Sequence, residues 1–453
     1  MRAPHSPEVP KPGKDHAWPP PRQAWAALVL LMIGLIISIV DRGVINLLVE
    51  PIKADYGLSD TQFGMLQSIA FATFYVTMAI PIGILADRYQ RRLIVAVGVC
   101  IFSTFSLMTG LARSFNQLFI ARMGVGFGEA SLSPAGFSML SDYFPPHKIG
   151  RAISLFSAAN FIGASLSYVA GGLLIGLFDQ VQRTAPERLL GFAPWQATIA
   201  CIAIPGLIVG PAMFLLREPP RRGLVGKTTK LGFRDVMREL CTRRRFLVLV
   251  IAGMSMASIM TQGVSIWMPA LFIRVYHWNA TQAGVWIGAV ILAGSVVGSY
   301  LGGWITDSMT QRRRLDAPIL IATVSFGVAG LFAVAAPLMP TGELALALVL
   351  PMLFLKPMAF ACAPLALQMV IPNQLRAQVT AGYFTVLNLV GLGLGPLVVG
   401  ILSDSLFTGP TGVRYSMSLI AAITVPIMVI LMALAIRPFA KLRERQAETN
   451  PAG

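Results

Sequence analysis

Charged residues are scarce in this sequence. Only 12% of its 453 residues are Asp, Glu, Lys or Arg, whereas 55% are hydrophobic. This composition excludes an ordinary soluble domain, in which about a quarter of the residues are charged. The four cysteines and four histidines are scattered, without the close spacing of metal ligands. We therefore expect no disulfide framework, no bound metal and no cofactor.

Long apolar runs are what the sequence has instead. A helix needs about 20 mostly apolar residues to cross a membrane. Several of the runs contain glycine or proline, which transmembrane helices tolerate. The pattern predicts an all-α integral membrane protein with twelve transmembrane helices in two bundles of six. These runs begin near Gln23, Gln62, Leu93, Asn116, Arg151, Phe192, Phe246, Val285, Pro318, Leu344, Gln378 and Tyr415.

The distribution of positive charge predicts the topology. The formal net charge is +16. With both termini inside, about 27 Lys and Arg fall on cytoplasmic segments and about 6 on external loops. Because cytoplasmic loops of membrane proteins are enriched in Lys and Arg, both termini are predicted to be cytoplasmic. We expect a multi-pass membrane protein and no nucleic-acid binding.

Two segments recur at an offset of 220 residues. Residues 61–64 recur as 281–284, and residues 83–87 recur as 303–307, each time on either side of an apolar run. Basic clusters follow the second segment in both halves. A repeat of this kind indicates a duplicated six-helix unit, with a transport site between the two copies.

The predicted organisation has five parts. A Pro-rich cytoplasmic tail is followed by a six-helix bundle, a linker, a second six-helix bundle and a second tail. The linker has the pattern of an amphipathic helix on the inner leaflet, and a helix that only ties the bundles together is the other interpretation. The five parts span residues 1–22, 23–216, 217–245, 246–437 and 438–453.

Four charged residues lie inside apolar runs. Asp41 and Arg42 fall in the first run, and Arg122 and Glu129 in the fourth. Each charge at membrane depth costs at least about 2.5 kcal/mol, so such residues usually face a protein interior and mark a transport path. Residues seven apart share nearly the same helix face, which places Arg122 and Glu129 together.

Two interpretations of this quartet stay open. In the first, Glu129 and Asp41 carry a proton, since a carboxylate can exchange one when its exposure to water changes. Arg42 and Arg122 then bind an anionic group of the substrate. In the second, the two acids and two bases form a static buried ion network that locks the first bundle.

Further candidate binding residues lie in other apolar runs. Lys356 in the tenth run either meets a substrate anion or extends toward the membrane surface. Six residues are candidates for lining an amphipathic cavity, although aromatic residues in spans also serve simple packing. They are Phe71, Phe74, Tyr75, Tyr383, Phe384 and Asn388.

A loop motif resembles a known signature. The segment Gly83–Arg92 resembles the signature loop of the major facilitator superfamily, with a degenerate second copy at 303–307. Gln90 replaces the usual Gly, and Ser308 replaces the Arg of the second copy. The resemblance implies a gating role in which the Asp caps a neighbouring helix and holds the outward-facing state. The residues it implies are Gly83, Asp87, Arg88, Arg91, Arg92 and Asp307.

Three further motifs resemble the Spinster family within that superfamily. They are Asp41-Arg42, Gly128-Glu129-Ala130 and the segment Arg217–Arg221, and the resemblance extends from about Ala24 to Pro438. It implies a secondary transporter of anionic amphiphiles, such as lysophospholipids or sphingolipid-like molecules, working by alternating access, and the charged quartet adds the expectation of proton coupling. The resemblance is to a bacterial member of the family, which implies a location in a bacterial inner membrane. The protein is expected to be a monomer whose partners are this substrate, protons and membrane lipids.

An alternative within the same class stays open. The organic-anion branch of the superfamily also carries an Asp-Arg pair in its first span. An organic-anion or multidrug proton-coupled transporter is therefore the alternative function. An enzyme is not expected, because no pairing of nucleophile and base and no nucleotide-binding loop is visible.

Overall fold

The computed structural model describes residues 18–221, 241–311, 316–372 and 375–449. Most of the predicted linker helix, the predicted N-terminal tail up to residue 17 and the arginines at 312–314 lie outside these ranges. In the described part of the chain every regular element is a helix, which confirms the all-α prediction.

Fifteen α-helices make up the described chain, and a π-helical segment, Leu66–Ala72, joins α3 to α4. The bounds of the N-terminal helices are α1 Pro21–Leu47, α2 Val49–Tyr56, α3 Asp60–Met65, α4 Thr73–Arg88, α5 Arg91–Gly110, α6 Phe115–Glu129, α7 Leu132–Tyr143, α8 Pro146–Thr184 and α9 Pro194–Met213. Those of the C-terminal helices are α10 Arg244–Arg274, α11 Ala280–Gln311, α12 Ala317–Ala335, α13 Gly342–Val370, α14 Arg376–Ser405 and α15 Gly412–Thr449.

Local signals explain several helix starts. Proline occupies the first position of α1, α8 and α9, where its missing N–H would have no partner inside the helix. Ser59 precedes α3 and forms a capping box with Gln62, in which each side chain accepts from the other residue's backbone N–H. Ser114 and Thr341 accept backbone N–H groups in the same way at the starts of α6 and α13.

The predicted number of spans is confirmed, with one span divided. Among the described residues, eleven helical stretches are long and apolar enough to cross a membrane. The twelfth span is the predicted fourth one, which consists of α6 and α7 with a break at Ala130 and Ser131. The last helix continues to Thr449, so the predicted C-terminal tail begins inside α15.

The helix bundle has two ends. The end where α1 begins and α15 finishes is called the terminal end, and the opposite end is called the distal end. Helices α1–α9 form the N-terminal half and α10–α15 the C-terminal half. The halves meet closely where α8 packs on α11 and where α3 packs on α14.

The repeated sequence segments lie at these two equivalent contacts. A Cβ on Gly64 of α3 would lie 2.8 Å from the carbonyl oxygen of Pro396 on α14. A Cβ on Gly284 of α11 would lie 2.9 Å from the Cα of Gly172 on α8, where the Thr281 hydroxyl also donates to a carbonyl at 2.7 Å. Only glycine permits so close an approach of two helices. The repeat therefore encodes two symmetry-related contacts between the halves.

Candidate functional site

A cavity of about 400 Å³ lies between the two halves. Its wall comes from both, with α1, the π-helical segment and α8 on one side and α10, α11, α13 and α14 on the other. A site shared by two repeats at mid-membrane is typical of transporters with duplicated halves. The polar and charged residues that line it are Arg42, Asn46, Gln67, Asn160, Ser167, Gln262, Ser265, Ser295 and Lys356, together with the hydroxyl-bearing Tyr168.

The charged quartet forms two crossed ion pairs. Arg42 donates from Nε to Oε2 of Glu129 at 3.1 Å, and its Nη2 also contacts that oxygen. Arg122 donates from Nη1 to Oδ2 of Asp41 at 3.4 Å, and the Ser106 hydroxyl donates to the other oxygen of Asp41. Each base on one helix therefore pairs with an acid on the other, which neutralises all four charges inside the bundle.

Arg42 differs from the other three residues in its exposure. Its side chain is 30% exposed and lines the cavity, whereas that of Glu129 is 0% exposed. Asp41 and Arg122 are also buried. Among the described residues, Oε1 of Glu129 and Nε of Arg122 have no hydrogen-bond partner. Arg42 therefore lies between the cavity and Glu129, one of whose carboxylate oxygens has no hydrogen-bond partner among the described residues.

Two aromatic rings hold the guanidinium of Arg42. Its Cζ lies 4.8 Å from the centre of the Phe71 ring and 4.9 Å from that of Tyr75. The two rings are stacked 5.6 Å apart, and Arg122 also lies over Phe71 at 5.4 Å. Cation–π contacts of this kind contribute about 0.5 to 2 kcal/mol each. They add to the ion pair with Glu129 in holding the guanidinium at the cavity wall.

The π-helical segment positions the residues behind the cavity wall. Gln67 accepts from Nη2 of Arg122 at 3.5 Å and donates to the side chain of Asn46 on α1. Phe71 lies in the same segment. Because a π-helical turn inserts an extra residue, it shifts side chains relative to a regular helix, and such turns are frequent at functional sites.

Glu129 lies where the fourth span is interrupted. It is the last residue of α6, and α7 starts at Leu132. The Ser131 hydroxyl donates to the carbonyl of Gly128 at 2.8 Å across the break. The acid therefore lies at the junction of the two helices that make up the fourth span.

Lys356 faces the cavity from the C-terminal half. It lies on α13 immediately before Pro357, and both residues line the cavity. No acidic side chain of the described chain lies within ion-pair distance of it. Lys356 therefore places a positive charge on the cavity wall opposite Arg42. No carboxylate of the described residues neutralises that charge.

Several predicted binding residues lie away from the cavity wall. Arg122 and Tyr75 stand behind the wall and contact Asp41 and Arg42, respectively. Tyr383 is fully buried, and its hydroxyl has no hydrogen-bond partner among the described residues. Of the nine predicted substrate-binding residues, only Arg42, Phe71 and Lys356 line the cavity. The other three, which also do not line it, are Phe74, Phe384 and Asn388.

The signature loop is anchored within the N-terminal half. Arg91 is buried and forms ion pairs with Asp142 at 2.5 Å and with Glu218 at 2.8 Å. Glu218 also accepts the backbone N–H of Arg92 at 2.9 Å. Glu218 belongs to the segment 217–221 that carries the Spinster resemblance, so two separate motifs meet in one structural unit.

Other residues of the predicted gate are exposed or lie beyond the described side chains. Arg88 is exposed. A Cβ on Gly83 would have no described atom of another helix within 4 Å, and the same holds for Gly382 on α14. The side chains of Asp87 and Asp307 lie outside the described part of the structure. Neither glycine is therefore in close contact with a described residue of the opposite half.

The distal end contains an ionic contact between the halves that sequence reasoning missed. Arg274 of α10 forms ion pairs with Asp60 at 2.7 Å and with Glu50 at 2.5 Å. Asp404 of α14 accepts the backbone N–H groups of Asp60 and Thr61 at 3.1 and 2.6 Å, which caps α3 from the other half. This set of contacts is called the distal latch. Glu50 and Asp60 lie at the ends of predicted spans, where charged residues are common. Only their position next to Arg274 in the structure indicates that they join the two halves.

Polar cavity residues were also missed. Asn46, Gln67 and Gln262 line the cavity and have amide groups inside predicted spans. The signal that could have found them is the same one that found the charged quartet, since polar groups in apolar runs need partners. It is weaker for amides because an amide costs less to bury than a charge.

Comparison with known proteins agrees with this architecture. A model described as Major Facilitator Superfamily matches residues 31–396. An "MFS-type efflux pump" of Mycolicibacterium smegmatis is 28% identical over 85% of this chain and 86% of its own length. The "Sphingosine-1-phosphate transporter SPNS2" of Danio rerio is 23% identical over 85% of this chain and 77% of its own length.

Solved structures show the same fold. A bacterial homologue of the human lysosomal transporter Spinster, solved in an inward-facing and unoccupied conformation, superposes with a TM-score of 0.81. It is 24% identical and covers 94% of this chain and 99% of its own. These matches confirm the Spinster resemblance read from the sequence motifs, and the protein is a membrane transporter, not an enzyme. The chain belongs to the major facilitator superfamily.

Proposed function

We propose that this chain is a proton-coupled secondary transporter that moves an anionic amphiphile, such as a lysophospholipid or a sphingolipid-like molecule, by alternating access. One observation carries the proposal. Arg42 reaches the cavity and at the same time holds Glu129, which is otherwise sealed from it. A single guanidinium is therefore available to both a substrate anion and a buried acid.

The proposed coupling is a competition for Arg42. An anionic head group that binds Arg42 withdraws it from Glu129, whose carboxylate then lacks its neutralising partner and takes up a proton. When the head group leaves, Arg42 returns and the proton is released. Asp41 is the second proposed proton-carrying acid, and it can take up a proton only when its ion pair with Arg122 is broken. Arg122 acts by holding Asp41 and not by touching the substrate.

The proposed substrate fits the chemistry of the cavity wall. Arg42 and Lys356 offer two cations from opposite halves to a phosphate or carboxylate head. Phe71, Phe161 and Leu353 provide apolar surface for an acyl tail. The SPNS2 relative, which is named as a sphingosine-1-phosphate transporter, supports the same class of ligand.

The orientation is part of the proposal. Basic residues cluster at the terminal end, which by the positive-inside rule faces the cytoplasm of a bacterial inner membrane. The distal latch then closes the periplasmic side while the cavity faces inward. Rocking of the halves would break the latch and bring the signature loop, including Asp87, against α14. We propose that a monomer surrounded by membrane lipids carries out this cycle.

A second candidate is an organic-anion or multidrug proton-coupled transporter. The mycobacterial relative, which is named as an efflux pump, favours it. So do the amides of Asn46, Gln67 and Gln262, which suit a more compact polar ligand.

Flux measurements separate the two candidates. The purified full-length chain is reconstituted into proteoliposomes, with and without a pH gradient, and offered lysophospholipids, a sugar acid and a cationic dye. The proposal expects gradient-dependent movement of the lysophospholipid alone. Transport of the sugar acid or dye without lipid movement would support the second candidate, and lipid movement that ignores the gradient would refute proton coupling.

A further inference from the structure

A groove of about 900 Å³ lies at the terminal end, outside the central cavity, between the start of α10 and the end of α15. The predicted transport cycle does not use it. Its size is at the upper end of the range for small-molecule sites, about 300 to 1,000 Å³. The residues that line it are Thr242, Arg243, Arg245, Phe246, Ile430, Ala433, Leu434, Arg437, Pro438, Lys441 and Leu442.

The wall on α15 changes from apolar to basic along a single stripe. Ile430, Leu434, Arg437 and Lys441 follow one another at intervals of four, three and four residues, so they share one helix face. Ile430 is 57% exposed and Leu434 is 52% exposed, as expected of side chains that face lipid tails. With a rise of about 1.5 Å per residue, the stripe spans roughly 16 Å. That length runs from the acyl region of a leaflet to its head groups.

The wall on α10 repeats this change. Phe246 is buried at the base of the groove and stacks on Phe439 of α15 with ring centres 5.4 Å apart. Arg245, the preceding residue, is exposed at the rim. Arg243 donates to the carbonyl of Val370 at 2.8 Å, which ties this end of α10 to α13. Basic side chains thus line the rim of the groove, and Phe246, which packs against Phe439, forms its floor.

We propose that this groove binds one anionic membrane phospholipid. Arg245, Arg437 and Lys441 contact the phosphate, and the acyl chains lie along Ile430 and Leu434. No acidic side chain of the described residues lines the groove, so its charge complements an anion. A soluble phosphate would match the basic rim but would leave the apolar stripe unused. The ligand is therefore a lipid of the surrounding leaflet and not a free anion.

Native mass spectrometry of the detergent-solubilised full chain tests this. It is titrated with phosphatidylglycerol, with phosphatidylcholine of the same acyl chains, and with glycerol 3-phosphate. The variant Arg245→Gln/Arg437→Gln/Lys441→Gln is compared with wild type. Each cation near an anionic lipid surface strengthens binding about five-fold, so the triple variant should bind phosphatidylglycerol about a hundred-fold more weakly.

A matched control removes three exposed cations from the N-terminal half at the same end, in Arg22→Gln/Lys148→Gln/Arg151→Gln. It should bind phosphatidylglycerol like wild type, and phosphatidylcholine should bind all three proteins equally. An equal loss in the control would mean that only overall charge matters, which overturns the proposal. It is also overturned if wild type prefers neither lipid, or if glycerol 3-phosphate binds as tightly as the lipid.

Discussion

Arg274 in the C-terminal half and Asp60 in the N-terminal half form a two-point ion pair, with both guanidinium Nη atoms 2.7 Å from the carboxylate oxygens. The Ser403 hydroxyl donates to the same carboxylate at 2.7 Å. This pair joins helices that must separate if the distal end opens. Its strength therefore contributes directly to the balance between conformations.

The variant Arg274→Gln should shift the equilibrium toward a state open at the distal end. Removing one partner of a buried ion pair costs about 3 kcal/mol or more, which corresponds to a shift of about a hundred-fold. Spin labels at Gln182 and Thr411, in a chain without native cysteines, report the separation of the halves at this end. The distance should lengthen. Arg188→Gln, an exposed charge at the same end, is the control, and an unchanged distribution in Arg274→Gln would contradict the latch.

The variant Glu129→Gln should lose proton-linked transport while keeping its fold. Glutamine preserves the shape and can still accept from Arg42, but it cannot exchange a proton near neutral pH. We expect flux driven by a pH gradient to fall by about ten-fold or more at equal protein in liposomes. Glu187→Gln, which alters an exposed residue of a short 3₁₀ helix, should behave like wild type. Full coupling in Glu129→Gln would remove this acid from the proton path.

The variant Lys356→Gln should weaken binding of anionic amphiphiles without disturbing the ion pairs. Charge-assisted hydrogen bonds contribute about 1.5 to 3 kcal/mol, so the loss should be about ten- to a hundred-fold. Competition binding with an anionic and an uncharged ligand of equal tail length measures it. Arg42→Ala should likewise weaken binding of the anionic ligand more than binding of the uncharged one. Arg113→Ala, which removes an exposed arginine, should weaken neither. Equal losses for both ligands would mean that these cations do not bind the head group.

The variants Gly64→Val and Gly284→Val should both destabilise the state that is closed at the distal end. Each places a side chain where the backbone of the other half already lies, and such overpacking costs about 1 to 3 kcal/mol. The melting temperature of the purified protein should fall, and the distal spin labels should move apart. Gly393→Val is the control because a Cβ there has no described neighbour within 4 Å. An equal effect in the control would argue against specific contacts.

Much of the fold was predictable because hydropathy reports helix number directly. The twelve apolar runs and the duplication were read from the sequence, and the repeated glycines at positions 64 and 284 now have a physical meaning as contacts between the halves. The break in the fourth span and the π-helical turn at Leu66–Ala72 were not predicted. Both depend on how neighbouring helices pack and not on a local sequence signal. The predicted bounds of the tails and linker stay predictions.

By itself, the sequence determined that the protein crosses a membrane many times, that it consists of two related halves, and that four charges lie at membrane depth. Only the tertiary structure decided that Arg42 pairs with Glu129 and Arg122 with Asp41, and that Arg42 alone of the four meets the cavity. The reason is physical. A helix that is apolar all round has no pattern that tells which face meets lipid and which meets protein. Its rotation is set by contacts with residues far away in the chain, and those contacts also created the latch between Asp60 and Arg274.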